Sequence, residues 1–116
     1  MVLWQLVLQF AKALFIGYTT IMNLQFQKIK KTIPPILKSH GVKRAAVFGS
    51  VARGDNNRSS DVDLLVEFNG RKSLLDLIGL QFALQKKYRR KFDVVTYRSL
   101  HPLLRDRIMS EQRPIL

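Results

Sequence analysis

The stretch that decides the fold is Val47-Phe48-Gly49-Ser50-Val51-Ala52-Arg53-Gly54-Asp55, followed after a short polar turn by Ser60-Asp61-Val62-Asp63-Leu64-Leu65-Val66. It begins as an apolar strand, breaks at Gly49-Ser50 and resumes as a second strand that opens on two alternating carboxylates. Side chains at positions i and i+2 of a strand point to the same face of the sheet, so Asp61 and Asp63 are expected to project together. A glycine lets the backbone approach a phosphate closely, and N–H groups at the start of the following helix face the anion. The pattern predicts a site for metal-assisted chemistry on a nucleotide.

The composition describes a folded, basic protein of one domain. A chain of 116 residues is large enough for one core but not for two. Twenty Lys and Arg against eight Asp and Glu give a net charge of +12, which favours anionic partners such as nucleotides, RNA or an acidic protein. The absence of cysteine excludes disulfides, thiolate nucleophiles and zinc–sulfur sites.

Strands and helices alternate along the chain, which indicates an α/β (α+β) domain with a small mixed sheet and helices packed on it. We predict strands over residues 44–48, 62–68 and 91–97, and a helix over residues 24–39 that is interrupted at Pro34-Pro35. Ser73 and Ser99 are each expected to cap a later helix. In the first of these two, the residues expected to face the core are Leu74, Leu77, Ile78, Phe82, Leu84 and Tyr88.

The first 22 residues differ from the rest because they are almost wholly apolar. Gln5, Gln9 and Lys12 form a narrow polar stripe at helical spacing. A membrane-spanning helix needs about 20 apolar residues, and Lys12 in the middle argues against one. We therefore divide the chain into an apolar N-terminal helix or extension, residues 1–22, and a catalytic domain, residues 23–116; a membrane anchor is the least favoured alternative.

A third carboxylate lies in the third predicted strand. Asp93 stands near the start of Phe92-Asp93-Val94-Val95, where an apolar residue is expected. A site with two metal ions needs ligands that the ions share, which normally requires a third acidic group. Asp61, Asp63 and Asp93 are therefore the predicted catalytic and metal-binding residues, with two Mg²⁺ ions. Gly49, Ser50 and Arg53 are the predicted phosphate-binding residues, although Arg53 could equally be a solvated surface arginine.

Together these motifs resemble the minimal nucleotidyltransferases of the DNA polymerase β-like superfamily. The resemblance rests on Gly49-Ser50, the ten-residue gap to Asp61-x-Asp63, and the later strand with Asp93, and it covers roughly Ile36 to Pro114. It implies the nucleotidyltransferase fold and a Mg²⁺-dependent transfer of a nucleoside monophosphate, with ATP as the substrate. Many members are antitoxins that add AMP to a tyrosine of a HEPN-domain toxin, so we expect a HEPN partner and a cytoplasmic protein with no membrane association.

Two other functions stay open at this point. The chain could be a non-catalytic module that binds its toxin or RNA through basic surface such as the run Lys86 to Lys91. It could also transfer a nucleotide to a small molecule such as an aminoglycoside, although its length leaves little room for further substrate-binding sequence. An oligomer formed through the apolar N-terminal segment also remains open. The presence of all three carboxylates favours an enzyme over a non-catalytic module.

Overall fold

The computed structural model describes residues 2–54 and 61–116, and it describes their side chains except at residues 13–23. Asp55 and Ser60, which belong to the motif described above, lie outside the described residues. The elements in chain order are α1 (Val2–Thr32), α2 (Pro34–Ser39), β1 (Val42–Phe48), α3 (Gly49–Arg53), β2 (Val62–Phe68), α4 (Leu74–Tyr88), β3 (Phe92–Thr96), a 3₁₀ turn (Tyr97–Ser99), α5 (Pro102–Glu111) and β4 (Arg113–Pro114).

Four strands form one mixed sheet in the order β3-β2-β1-β4. β2 runs parallel to β3 and antiparallel to β1, while β4 pairs antiparallel with the other edge of β1. The predicted α/β class with a small mixed sheet is confirmed. The short β4 was not predicted, because its two residues, Arg113 and Pro114, carry no strand pattern of their own.

The core lies between the sheet and the helices α1, α2 and α4. Along β2, Val62, Leu64 and Val66 are buried in this core, and the intervening Asp63 therefore points to the opposite face of the sheet. The helices contribute a further set of buried side chains to the same cluster: Phe26, Ile29, Ile33, Leu37, Leu80 and Leu84. The sheet thus has one face covered by these helices and a second face on which β2 carries Asp63, the fully buried Leu65 and Glu67.

Helix boundaries follow from proline and from capping side chains. Helix α1 ends at Thr32 and α2 restarts at Pro34, as the Pro34-Pro35 pair predicts. Helix α4 begins with a capping box: the Asp76 N–H donates to Ser73 Oγ, and the Ser73 N–H donates to Asp76 Oδ2 at 2.7 Å.

The predicted cap of the last helix is wrong. The cap of α5 is His101, whose Nδ1 accepts the Leu103 N–H at 3.1 Å, and Pro102 occupies the first helical position. Ser99 instead closes the preceding 3₁₀ turn, where its N–H donates to Thr96 Oγ1 at 3.3 Å. The hydrogen bond to Leu103 also shows that His101 has a structural role.

Helix α1 is continuous from Val2 to Thr32, whereas the sequence predicts a helix that starts only at residue 24. The predicted start of this helix is therefore wrong. All side chains of residues 2–12 are exposed, whereas Phe26 and Ile29 are buried in the core. The division between residues 22 and 23 therefore falls inside α1, and it stays a prediction. No helix in the described part of the chain is long and apolar enough to cross a membrane.

The sequence-based assignment of the core face of α4 is partly wrong. Leu84 is buried as expected, and Leu77 and Tyr88 pack against the core. Leu74, Ile78 and Phe82, however, are exposed, and the fully buried Leu80 takes their place. This helix is apolar on two sides, and the sheet covers only one of them.

Candidate active site

The three predicted carboxylates belong to the edge of the sheet where β2 and β3 begin. Asp63 and Asp93 are paired in register across these parallel strands, and Asp63 is also opposite Phe48 of β1. Asp61 precedes β2 directly, and its charge acts on the Asp63 carboxyl. The structure therefore brings the predicted acidic residues together, although Asp93 comes from a strand far along the chain.

Partial burial, together with the neighbouring carboxylates, raises the pKa of Asp63 to about 6. Burial of its carboxyl group is the largest cause, and the negative charges of Asp93 and Asp61 follow. Arg53 and Lys91 act in the opposite direction but do not cancel these effects. The fold thus maintains a repulsive cluster of carboxylates at a half-buried position, an arrangement that is frequent at functional sites.

Gly49 lies against this cluster, and two features of its position require glycine. Its φ of +71° is in the left-handed region, which residues with a Cβ rarely adopt. A Cβ at this position would also collide with Asp63 Oδ2 and would lie 3.2 Å from Asp63 Cγ. Gly49 and Ser50 are the first two residues of α3, so the start of this short helix is beside the Asp63 carboxyl group.

Arg53 ends α3 and forms an ion pair with α5. Its Nη1 is 3.3 Å from Glu111 Oε2, while the other oxygen of Glu111 is 3.3 Å from Arg107 Nε. Arg53 also lowers the pKa of Asp63, so its charge acts on the carboxylate cluster. Glu111 was missed by sequence reasoning, because no local pattern relates two residues that are so far apart in the chain.

The basic run at the end of α4 contributes to the same edge. Lys91 Nζ is 3.5 Å from Asp61 Oδ2, and partial burial lowers the pKa of Arg90. The chain turns into β3 through Arg89, whose φ of 49° is left-handed. Lys91 is a second site residue that sequence reasoning missed, because the run Lys86 to Lys91 was interpreted as one basic surface.

The residues present fit a hard divalent cation in their chemistry. Carboxylate oxygens are the ligands that Mg²⁺ prefers, and a cation would offset both the burial and the carboxylate repulsion that raise the pKa of Asp63. As the side chains are placed, no three His, Cys, Asp or Glu residues of the described chain form a compact ligand group. Metal binding by Asp61, Asp63 and Asp93 remains a prediction.

Comparison with known proteins agrees with this fold. The family described as "Nucleotidyltransferase domain" matches residues 29–115. MJ0435 of Methanocaldococcus jannaschii, a proposed protein adenylyltransferase, is 50% identical over 93 residues, which span 80% of this chain and 100% of the relative.

Two solved structures are similar. The structure of a proposed minimal nucleotidyltransferase has a TM-score of 0.67 and 37% sequence identity, and the match covers 78% of this chain and 92% of the other. A toxin–antitoxin structure with AMP-PNP shares the fold, with a TM-score of 0.67, 20% identity, and coverage of 75% and 72%. The fold and the family match over residues 29–115 identify a nucleotidyltransferase, an enzyme. Within that class, the chain belongs to the minimal nucleotidyltransferase family.

Proposed function

We propose that this enzyme transfers AMP from ATP to a tyrosine hydroxyl of a HEPN-domain toxin and so acts as an antitoxin in the cytoplasm. Support comes from the relative named as a protein adenylyltransferase and from the shared fold of a toxin–antitoxin structure with AMP-PNP. The motif resemblance to minimal nucleotidyltransferases that accompany HEPN toxins gives the acceptor. One structural observation carries the proposal: Asp63 and Asp93 are paired in register beside Gly49.

The proposed reaction breaks a phosphoanhydride bond of ATP and forms a phosphoester bond to tyrosine. The tyrosine oxygen forms a bond to the α-phosphorus of ATP, and the bond from this phosphorus to the bridging oxygen breaks. Pyrophosphate leaves with the electron pair of that bond. Asp93 is proposed to accept the hydroxyl proton, because its side chain is exposed beside Asp63 and can reach an incoming acceptor.

The remaining residues have proposed roles in binding. Asp61, Asp63 and Asp93 would hold two Mg²⁺ ions, which supply positive charge for the triphosphate and make the acceptor oxygen more acidic. Gly49 and Ser50 would leave room for the phosphates at the start of α3. Arg53 would donate to a phosphate oxygen while Glu111 holds its side chain.

The test is label transfer from α-labelled ATP to a purified HEPN-domain protein encoded beside this chain. We expect the label on the partner protein in the presence of Mg²⁺ and no transfer after the acceptor tyrosine is changed to phenylalanine. A γ-labelled ATP control should leave the partner unlabelled, because only AMP is transferred. Absence of label on the partner with active, nucleotide-binding enzyme would refute the proposed acceptor, and label on a small molecule would support the other transferase class.

A further inference from the structure

We propose that the outer face of α4 docks a protein partner whose surface is both apolar and acidic, which extends the proposed function and rests on it. The face, called the α4 stripe, consists of Leu74, Leu75, Ile78 and Phe82. Their exposures are 70%, 78%, 40% and 63%. These positions recur on one side of the helix, opposite the fully buried Leu80 and Leu84. Contiguous exposed apolar surface of this kind marks an interaction site.

The orientation of α4 is fixed, so the stripe cannot turn into the core. Gln81 Oε1 accepts the Val94 N–H and Gln85 Oε1 accepts the Phe92 N–H, each at 3.2 Å. These two hydrogen bonds connect the helix to β3, and the capping box at Ser73 fixes its first turn. The exposure of the stripe is therefore a property of the folded helix.

The basic residues at both ends of α4 indicate that the partner surface is acidic. Arg71 and Lys72 precede α4, Lys86 and Lys87 end it, and the single carboxylate within the helix, Asp76, is engaged by its capping bonds to Ser73. A second copy of this chain would place cations against cations, and the net charge of +12 adds to that repulsion. An acidic partner with apolar side chains complements both the stripe and its ends.

The stripe and the carboxylates lie on opposite sides of the sheet. Leu80 and Leu84 share one core cluster with Val62 and Leu64, so α4 covers the face of β2 that Asp63 does not occupy. Docking on the stripe therefore leaves the carboxylate cluster open. The stripe holds the partner, and the acceptor hydroxyl reaches the cluster from another part of the partner.

The test measures complex formation with the HEPN-domain protein by size-exclusion chromatography with light scattering. A double variant, Leu75→Glu with Phe82→Glu, should raise the Kd of the complex ~10-fold or more, because two charges would be buried against an acidic surface. The matched control is Leu103→Glu on α5, the same type of change at a position that is 85% exposed. All variants alter exposed side chains, and thermal unfolding checks that they fold.

A second variant tests the charge. Lys86→Glu should weaken the complex ~3-fold or more at low salt and less at high salt, since exposed charges are screened. The proposal is overturned if the stripe variants bind as the unchanged chain does, if Leu103→Glu dissociates the complex equally, or if the unchanged chain forms no complex. It is also overturned if the unchanged chain is a dimer that the double variant makes monomeric, because a second copy then occupies the stripe.

Binding of a fluorescent ATP analogue with Mg²⁺, measured on the same samples, separates this proposal from the proposed function. The stripe lies across the sheet from Asp63, so the double variant should bind the analogue with unchanged affinity. If even the unchanged chain fails to bind the analogue, the proposed function is wrong. The docking result would still be decided by the chromatography.

Discussion

Asp63 of β2 and Asp93 of β3 are in-register neighbours on parallel strands, and this pairing joins two distant parts of the chain in one site. Replacing either carboxylate should therefore affect chemistry more than folding. We expect Asp63→Ala to reduce AMP transfer at least ~100-fold, and Asp93→Asn to retain nucleotide binding while turnover falls ~100-fold. The measurement is transfer from α-labelled ATP, with Asp106→Ala on exposed α5 as the control that retains activity. Full activity of the Asp93→Asn variant would show that Asp93 has no catalytic role.

The raised pKa of Asp63 has a consequence for stability in metal-free buffer. Its carboxyl group has a pKa of about 6 in the folded protein against an ordinary value of 3.8, so it binds its proton more tightly when the chain is folded. Its contribution to stability is thus fully present below pH 3.8 and is lost as the pH rises through about 6. Asp63→Asn should remove this loss.

Relative to the unchanged chain, Asp63→Asn should raise the free energy of unfolding by ~1 kcal/mol at pH 8 and much less at pH 4, a value reduced for the solvent screening of a half-exposed group. Urea unfolding with EDTA at several pH values measures the difference. A difference that does not grow across pH 4 to 7 would show that the pKa of Asp63 is not raised in the folded protein.

A comparison of variants at Gly49 and Gly70 distinguishes the effect of backbone strain from the effect of contact with the site. Their φ angles are nearly equal, +71° and +68°, but a Cβ at Gly70 meets nothing within 4 Å, whereas one at Gly49 collides with the Asp63 carboxyl. Both Gly→Ala changes should cost ~1 kcal/mol for the left-handed backbone. Only Gly49→Ala should also lose AMP transfer, since it displaces Asp63. Equal activity of the two variants would exclude Gly49 from the phosphate site.

Much of the site could be predicted from the sequence because it is local. The break at Gly49-Ser50 and the start of β2 at Val62, directly after Asp61, each depend on short-range backbone geometry, and both were located correctly. Asp93 could be predicted because an acidic residue interrupts an apolar strand, but its register with Asp63 depends on the pairing of two strands that lie far apart in the chain. Only the features encoded within a few residues are thus local.

The remainder depends on tertiary contacts that no local pattern reports. An apolar residue of α4 such as Phe82 does not itself indicate whether the sheet or solvent lies beside it. Glu111 pairs with Arg53 only because α5 returns to α3, and Lys91 meets Asp61 only through the left-handed turn at Arg89. The continuity of α1 was missed because its composition changes near residue 22 while its backbone does not.

Glu111 should influence ATP binding through Arg53. Glu111→Gln removes the charge that holds the Arg53 guanidinium, so we expect the Kd for ATP to rise ~2- to 5-fold, in line with a partly exposed ion pair. Binding of adenosine, which lacks phosphates, should not change. Arg107→Gln is the matched control, because Arg107 shares Glu111 but is not among the charges that affect Asp63. Equal losses for ATP and adenosine would indicate a general structural effect.

The last prediction concerns the N-terminal part of α1. The side chains of residues 2–12 are all exposed, while Phe26, Ile29 and Ile33 are part of the core. A chain beginning at Met22 should therefore fold, bind ATP and change its free energy of unfolding by less than ~1 kcal/mol. Thermal unfolding and nucleotide binding measure this, and size-exclusion chromatography shows whether the exposed apolar segment supports an oligomer.

A chain beginning at Thr32 is the control for this truncation, because it lacks Phe26 and Ile29. Loss of these two buried side chains should cost ~4 kcal/mol or more and unfold the domain. If the chain from Met22 also loses ATP binding, residues 1–21 contribute to the domain, and the predicted boundary at residue 22 is wrong. If it keeps ATP binding but loses an oligomer that the full chain forms, the apolar segment is an interface between copies.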